Sequence, residues 1–250
     1  MKKKFIIASV MACAYFVVTT SFVMASSNQK EGVHAAHTAV TVEKKVEKEA
    51  LPLYDAKKDK APSEGLSMIV DDHFQFQEPL LVRPKTDMIV IHHVGVPDGD
   101  TSAASIHEAH KRNGWAGIGY HYVIRKNGVI ERGRPLNTVG AHAYGENYHT
   151  VGINVTGNFD KEYPTDNQIQ SLVDLLTALC KIYHMEPTSA TIVGHRDVNK
   201  TDCPGDHLYA LLPEIRHDVK VRLFADTLKD THVLKLKKYE EHDRESVDTK

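Results

Sequence analysis

Met88-Ile89-Val90-Ile91-His92-His93 is the stretch on which the reading of this chain turns. Four apolar residues in a row suit a short strand buried on both faces. The run then stops on two histidines. Side chains at the ends of strands in open α/β sheets face the crevice where ligands bind. Outward from this strand the pattern alternates. Thr101 to Asn113 has helical character and ends on Asn113-Gly114, a favourable stop. Tyr120–Ile124 and Val129–Arg132 read as strands joined through Lys126-Asn127-Gly128, and Asn-Gly between such runs is a strong hairpin signal. Val151–Thr156 is a further strand, in which Gly152 marks a close backbone approach or a bulge.

The clearest helix is Thr165 to His184. Thr165 and Gln168 form a capping box, and Ile169, Leu172, Val173, Leu176, Leu179, Cys180 and Tyr183 recur at helical spacing. Cys180 falls on that buried stripe, where a free cysteine behaves as a small hydrophobe. Thr191–Gly194 is a short strand and Leu208–Leu223 a last helix. Strands alternating with helices, plus one hairpin, predict an α/β fold. We expect a single domain over residues 67–225, with a central mixed sheet flanked by helices.

The flanks read differently. Lys2, Lys3 and Lys4 precede an apolar run from Phe5 to Val18, and Val23-Met24-Ala25 offers small-residue cleavage chemistry. Residues 1–25 therefore read as a secretory signal peptide, with a retained membrane anchor as the alternative. Export implies a periplasmic or extracellular protein. Residues 26–66 are charged and poor in groups to bury, so they read as a disordered tether. Residues 226–250 read as a charged tail, frayed or disordered. Residues 1–25 hold three of the 31 basic and none of the 33 acidic side chains, so the remainder carries 28 against 33, a formal charge of −5. That balance lacks the basic footprint of a nucleic-acid binder. No later segment is long enough to span a membrane.

Of 16 histidines, two stand where strands run out, His92 and His195. Eight residues after His195 comes Cys203-Pro204-Gly205, a loop long enough for a thiolate and an imidazole to converge. His92, His195 and Cys203 make a possible His₂Cys set suited to tetrahedral Zn²⁺, with a fourth position open for water. A Cys180–Cys203 disulfide, or plain loop residues, would account for the same pattern. The segment Gly114-Trp115-Ala116-Gly117-Ile118-Gly119-Tyr120-His121-Tyr122 combines glycine turns with aromatics. It can place Tyr120 at a crevice with Trp115 along it, or it can be a glycine-rich connection with core aromatics.

These segments occur in a familiar order: Ile89 to His93, Gly114-Trp115 through Tyr122, Gly140-Ala141-His142-Ala143, Val151-Gly152-Ile153, and Gly194-His195-Arg196-Asp197 through Cys203-Pro204-Gly205. Over about residues 80–215 the chain resembles the zinc-dependent N-acetylmuramoyl-L-alanine amidases of the peptidoglycan recognition protein and phage lysozyme type. The resemblance implies one Zn²⁺ per chain, held by His92 rather than His93, by His195 and by Cys203. It implies catalytic roles for Tyr120 and Thr201, and a substrate groove touched by His142, Trp115 and Asn154. The implied partner is peptidoglycan or its muropeptide fragments, bound by a monomer.

Asn154 stands where another amidase branch has a glutamate base, and Thr201 where phage-type enzymes have lysine. The resemblance thus favours the recognition-protein branch. A tyrosine whose ordinary pKa is about 10 suits hydrogen-bond donation to an oxyanion better than service as a neutral-pH base. His121 and His93 read as packing or supporting residues. Arg125, Arg132, Arg134 and Arg196 are candidates for pairing with stem-peptide carboxylates, each also readable as a surface charge. Two rivals remain at the level of sequence: a non-catalytic peptidoglycan receptor on the same fold, and a structural zinc or disulfide protein.

Overall fold

A computed structural model describes residues 50–66, 69–96 and 99–247, with side chains as far as residue 231. The expected signal peptide and the first part of the expected tether lie outside the described residues. Six strands form one mixed sheet: β1 (Ile69–Asp71), β2 (Met88–His93), β3 (Tyr122–Ile124), β4 (Ile130–Arg132), β5 (Thr150–Val155) and β6 (Ile192–Gly194). Their spatial order is β1-β4-β3-β5-β2-β6. The β3–β4 hairpin is antiparallel and turns at Gly128, whose φ of +87° is open to glycine at no steric cost. The other pairings are parallel.

Register follows from what each strand buries. Ile89 aligns with Val151, Ile91 with Ile153, and Tyr122 with Ile153, so these side chains share one face. That face packs under α2 (Asp166–Tyr183) and α4 (Asp206–Val247), which contribute Leu172, Leu176, Leu179, Leu208, Leu212 and Ile215 to one apolar cluster. Each such side chain, fully buried, is worth roughly 1.5–3 kcal/mol. The capping box of Thr165 and Gln168 is formed in full. Cys180 is buried in this cluster as a free thiol. On the opposite face α1 (Ala103–Arg112) packs Ala103 and Ile106 against Ile118 and Val123.

Two flanks depart from expectation. Residues 50–66, read as part of a disordered tether, lie along the domain. Leu53 bridges Leu81, the Tyr54 N–H donates to the Leu80 carbonyl at 2.8 Å, and Ala61 and Leu66 pack on the core. Glu64 meets Arg132 at 2.6 Å and accepts from the Tyr122 hydroxyl. A charged composition concealed this, because the carboxylate is satisfied by a partner 68 residues away. The last helix runs on to Val247 instead of stopping near Leu223. Residues 224–247 contain neither glycine nor proline and are rich in Leu, Lys and Glu, good helix formers. Among the described residues no helix is long and apolar enough to cross a membrane.

A buried arginine ties the site's supporting loops together. Arg83 lies just before β2, and its Nη1 donates to the carbonyls of Thr138 and Thr150, each at 3.0 Å. Its Nη2 reaches the Leu136 carbonyl and the Tyr183 hydroxyl, and its Nε donates to Thr86 Oγ1 at 2.8 Å. Five donors of one planar group thus staple chain segments that are distant in sequence.

Candidate active site

The parity of β2 separates the two adjacent histidines. His92 points to the same face as Val90, while His93 points with Ile89 and Ile91. His93 therefore turns inward: its Nδ1 accepts from the Phe159 N–H at 3.2 Å, and its ring lies 6.1 Å from that of Phe159. His92 is buried at the carboxyl end of β2. β6 runs parallel beside it, with Gly194 opposite Ile91, so the next residue, His195, arrives next to His92. Their ring centroids are 4.4 Å apart. The chain then makes the short helix α3 (His195–Val198) and a loop that returns Cys203 to the same point, fastened by the Arg196 N–H to the Cys203 carbonyl at 2.8 Å.

One ligand atom from each of His92, His195 and Cys203 lies within 4.8 Å of the others. In a tetrahedral zinc site built from nitrogen and sulfur donors, neighbouring ligand atoms stand about 3.5 Å apart. Cys203 Sγ and His92 Nδ1 are 3.7 Å apart, and two imidazoles with one thiol are a donor set that zinc accepts. The cluster fits the ion. Cys180 and Cys203 are each free, so the disulfide between them is not formed.

Outer contacts hold the ligands. His92 Nε2 meets His142 Nδ1 at 3.0 Å, which leaves Nδ1 facing the sulfur. His142 in turn touches Thr150 Oγ1 at 3.3 Å, and its backbone N–H donates to Asn147 Oδ1 at 2.8 Å. Its ring lies over Gly152, where an added Cβ would come within 2.4 Å of it. That is the close approach the glycine predicted. The His93 backbone N–H donates to Cys203 Sγ at 3.4 Å. The Cys203 N–H donates to Thr201 Oγ1 at 3.2 Å.

Electrostatics keep these groups neutral when no cation is bound. Burial, then the neighbouring His142 and His195, hold the His92 pKa well below 6.5. Burial likewise lowers His142 to about 3 and pushes the Cys203 thiol up to about 12. Burial and then the nearby sulfur of Cys203 raise Tyr120 well above 10. Its ring centroid lies 5.1 Å from His92 and 5.8 Å from His110. Its hydroxyl makes no hydrogen bond to the described residues. Tyr120 is thus a protonated donor with its O–H available.

A groove borders the cluster at His195. It is lined by Trp115, His142, Tyr144, His195, Asn199, Lys200 and Thr201, among others, and has a volume of about 460 Å³. Trp115 is 45% exposed, and Tyr144 is 90% exposed. A larger hollow of about 680 Å³, lined by residues of the 54–64 segment among others, contains none of the cluster residues. Of the expected substrate-contacting residues, Trp115 and His142 line the groove. Asn154 does not: aligned with His92 across β5, it is 0% exposed and lies inside the sheet. The four arginines are engaged elsewhere. Arg125 pairs with Asp100 and Glu131, Arg132 with Glu64 and Asp71, and Arg196 with Asp206, while Arg134 donates to the carbonyls of Ile118 and Val139. The cation on the groove is Lys200, which sequence reasoning passed over, as it did Tyr144 and Asn199. His121 serves the scaffold, its Nδ1 accepting from the Gly152 N–H at 3.0 Å.

Comparison with known proteins places this arrangement. The family model described as N-acetylmuramoyl-L-alanine amidase matches residues 82–206. The endolysin of Escherichia phage T7 is 33% identical over 128 residues, 49% of this chain and 82% of that protein. An N-acetylmuramoyl-L-alanine amidase of Homo sapiens is 30% identical over 156 residues, 58% of this chain and 27% of that longer protein. Among solved structures, the N-acetylmuramoyl-L-alanine amidase LysC from Clostridium intestinale URNW matches with a TM-score of 0.55 and 40% identity, over 60% of this chain and 96% of that one. A family match across half the chain, and a phage relative covered over most of its length, agree with the converging histidines and cysteine: the chain belongs to the N-acetylmuramoyl-L-alanine amidase family.

Proposed function

We propose that this protein hydrolyses the amide between N-acetylmuramic acid and L-alanine in peptidoglycan, as a zinc enzyme working outside the cytoplasm. The observation that carries the reading is the convergence of His92, His195 and Cys203 on one point, with His195 also lining the neighbouring groove. The charged start and apolar run of residues 1–25 support export.

Zinc, when bound, supplies Lewis acidity, lowering the pKa of a water and polarising the scissile carbonyl. The chain's own residues do the rest. The Cys203 thiol, raised by burial, would have to lose its proton to hold a cation, and the His93 N–H, 3.4 Å from Sγ, is placed to stabilise the thiolate. One thiolate beside two neutral imidazoles leaves less positive charge on the ion than three imidazoles would, so help with proton transfer matters more. Tyr120, kept protonated, donates a hydrogen bond to the oxyanion that develops on the carbonyl. Thr201 accepts from the Cys203 N–H and keeps its own hydroxyl proton free to donate into the groove. His142 holds the His92 ring in place. Trp115 and Tyr144 offer aromatic surface for the sugar and the stem peptide, and Lys200 can meet a stem carboxylate. The protein acts as a monomer on peptidoglycan or on its muropeptide fragments.

The test is a product assay on purified peptidoglycan. New L-alanine amino termini without new reducing sugar ends, abolished by chelation and restored by Zn²⁺, are the expected result. Reducing ends would mean a glycosidase, and binding without either product would mean a receptor; each overturns the proposal.

A further inference from the structure

Asn199 closes the short helix that begins at His195, and it is bonded to that histidine twice. Its backbone N–H donates to the His195 carbonyl at 3.0 Å. Its side-chain Oδ1 lies 2.9 Å from His195 Nε2. The other half of the same amide is also engaged: Nδ2 donates to the Tyr144 carbonyl at 3.0 Å, across 55 residues of sequence. Among the described residues Tyr144 is the most exposed of the large hydrophobic side chains, and it stands on the wall of the groove.

The chemistry of an amide makes these contacts mutually dependent. A carbonyl accepts hydrogen bonds only, so the amide nitrogen must face Tyr144 and the amide oxygen must face the ring. Facing an oxygen, His195 Nε2 must carry the ring proton. In a neutral imidazole that leaves the lone pair on Nδ1. Turning the amide over would set oxygen against oxygen at Tyr144 and would lose the preference for that tautomer. One side chain therefore selects the tautomer of a metal ligand and fastens the groove wall to it.

We propose that Asn199 is a positioning residue with two separable tasks: its oxygen presents His195 Nδ1 to the metal, and its nitrogen anchors the Tyr144 wall that receives substrate. This rests on the zinc amidase reading above. Outer partners of metal-bound histidines are general, and their loss typically costs 10–100-fold in metal affinity. The distinctive feature here is that the partner is an amide whose other end holds the groove.

Two variants of the full chain separate the tasks. Asn199→Ala removes both contacts. Asn199→Asp keeps an acceptor for His195 but sets an oxygen against the Tyr144 carbonyl. Zinc affinity is measured by competition with a chromophoric chelator, and kcat and KM on a soluble muropeptide at saturating zinc. Asn199→Ala is expected to weaken zinc binding by roughly 10-fold or more and to raise KM. Asn199→Asp is expected to bind zinc as the parent does while still raising KM, so that the two readouts part. If Asn199→Ala binds zinc like the parent, or if Asn199→Asp is as weak as Asn199→Ala, the positioning role is wrong. An unchanged KM in Asn199→Asp overturns the wall-anchoring task. If Asn199→Ala does not fold, Asn199→Ser, which cannot span both partners, takes its place under the same criteria. A parent chain that fails to bind zinc sinks the metal reading itself, a result distinguishable from any of these.

Discussion

The two faces of β2 and β5 are made by the same twelve residues and do opposite work. On one, Ile89, Ile91, Val151 and Ile153 meet the leucines of α2 and α4 in a dry cluster. On the other, Val90 and Gly152 give way to His92 and Asn154, and His142 lies over the space a glycine leaves. The first face, apart from His93 at its end, stabilises the fold without regard to pH or metal. The second buries polar groups whose hydrogen bonding is incomplete, which costs stability and is retained where chemistry needs it. Alternation along one strand is enough to keep a metal ligand and a core residue side by side.

Adjacent residues give the sharpest way to break this division. His92→Ala should abolish turnover and zinc binding while costing the metal-free protein less stability than a truncation in the apolar cluster. Ile91→Ala should cost about 2–5 kcal/mol of stability, as large-to-small core substitutions do, yet retain zinc at temperatures where it is folded. Paired calorimetry and zinc titration would decide it. If Ile91→Ala lost zinc without losing stability, the faces would not be independent.

That division was half legible in the sequence. The apolar run of residues 88–91, the capping box at Thr165 and the Asn-Gly hairpin are local signals, and each formed as read. His92 and His195 were plausible as strand-end histidines and Cys203 as a loop residue eight positions further on, but it was the family resemblance, not spacing or alternation, that selected them and put His92 before His93. Arg83, Tyr144 and Asn199 were not legible. Their roles exist only where distant segments meet, and an arginine bonded to carbonyls, or an asparagine bonded to a histidine, has no spacing to betray it. Residues 50–66 were misread for a related reason: Glu64 counts as a solvated charge until Arg132 and Tyr122 are found beside it. Asn154 was misplaced because a motif position says nothing of depth.

The polar face should also make stability depend on pH. Burial, and then Arg83, hold His121 well below the ordinary 6.5; burial and then His142 do so for His92, and burial brings His142 to about 3. Such imidazoles take up protons more readily in the unfolded chain. Their contribution is whole above pH 6.5 and is lost as the pH falls from there toward the folded values. While a group titrates only when unfolded, the slope approaches about 1.4 kcal/mol per pH unit. The Tm of the metal-free protein should therefore fall steadily from pH 7 to pH 5. Carboxylates held low by partners, such as Glu64, act in the same direction only at more acidic pH. A Tm that stays flat across that interval would show that these histidines are already charged in the fold.

The smallest effect is expected at Asn154, and it tests the cost of the polar face directly. The residue is fully enclosed beside His92, and neither its Oδ1 nor its Nδ2 has a hydrogen-bond partner among the described residues. A buried polar group without partners costs about 1–3 kcal/mol. Asn154→Leu removes that cost and keeps the same branched skeleton, so it should raise the Tm by roughly 2–4 °C per kcal/mol gained in a domain of this size. KM should not change, because the side chain has no surface to offer a substrate. A lower Tm would mean that the amide is satisfied in solution and that the face is less costly than its geometry implies. A raised Tm with a reduced kcat would be more informative still. It would locate on this amide the reason that a strand lined with isoleucine and valine keeps an asparagine next to its metal ligand.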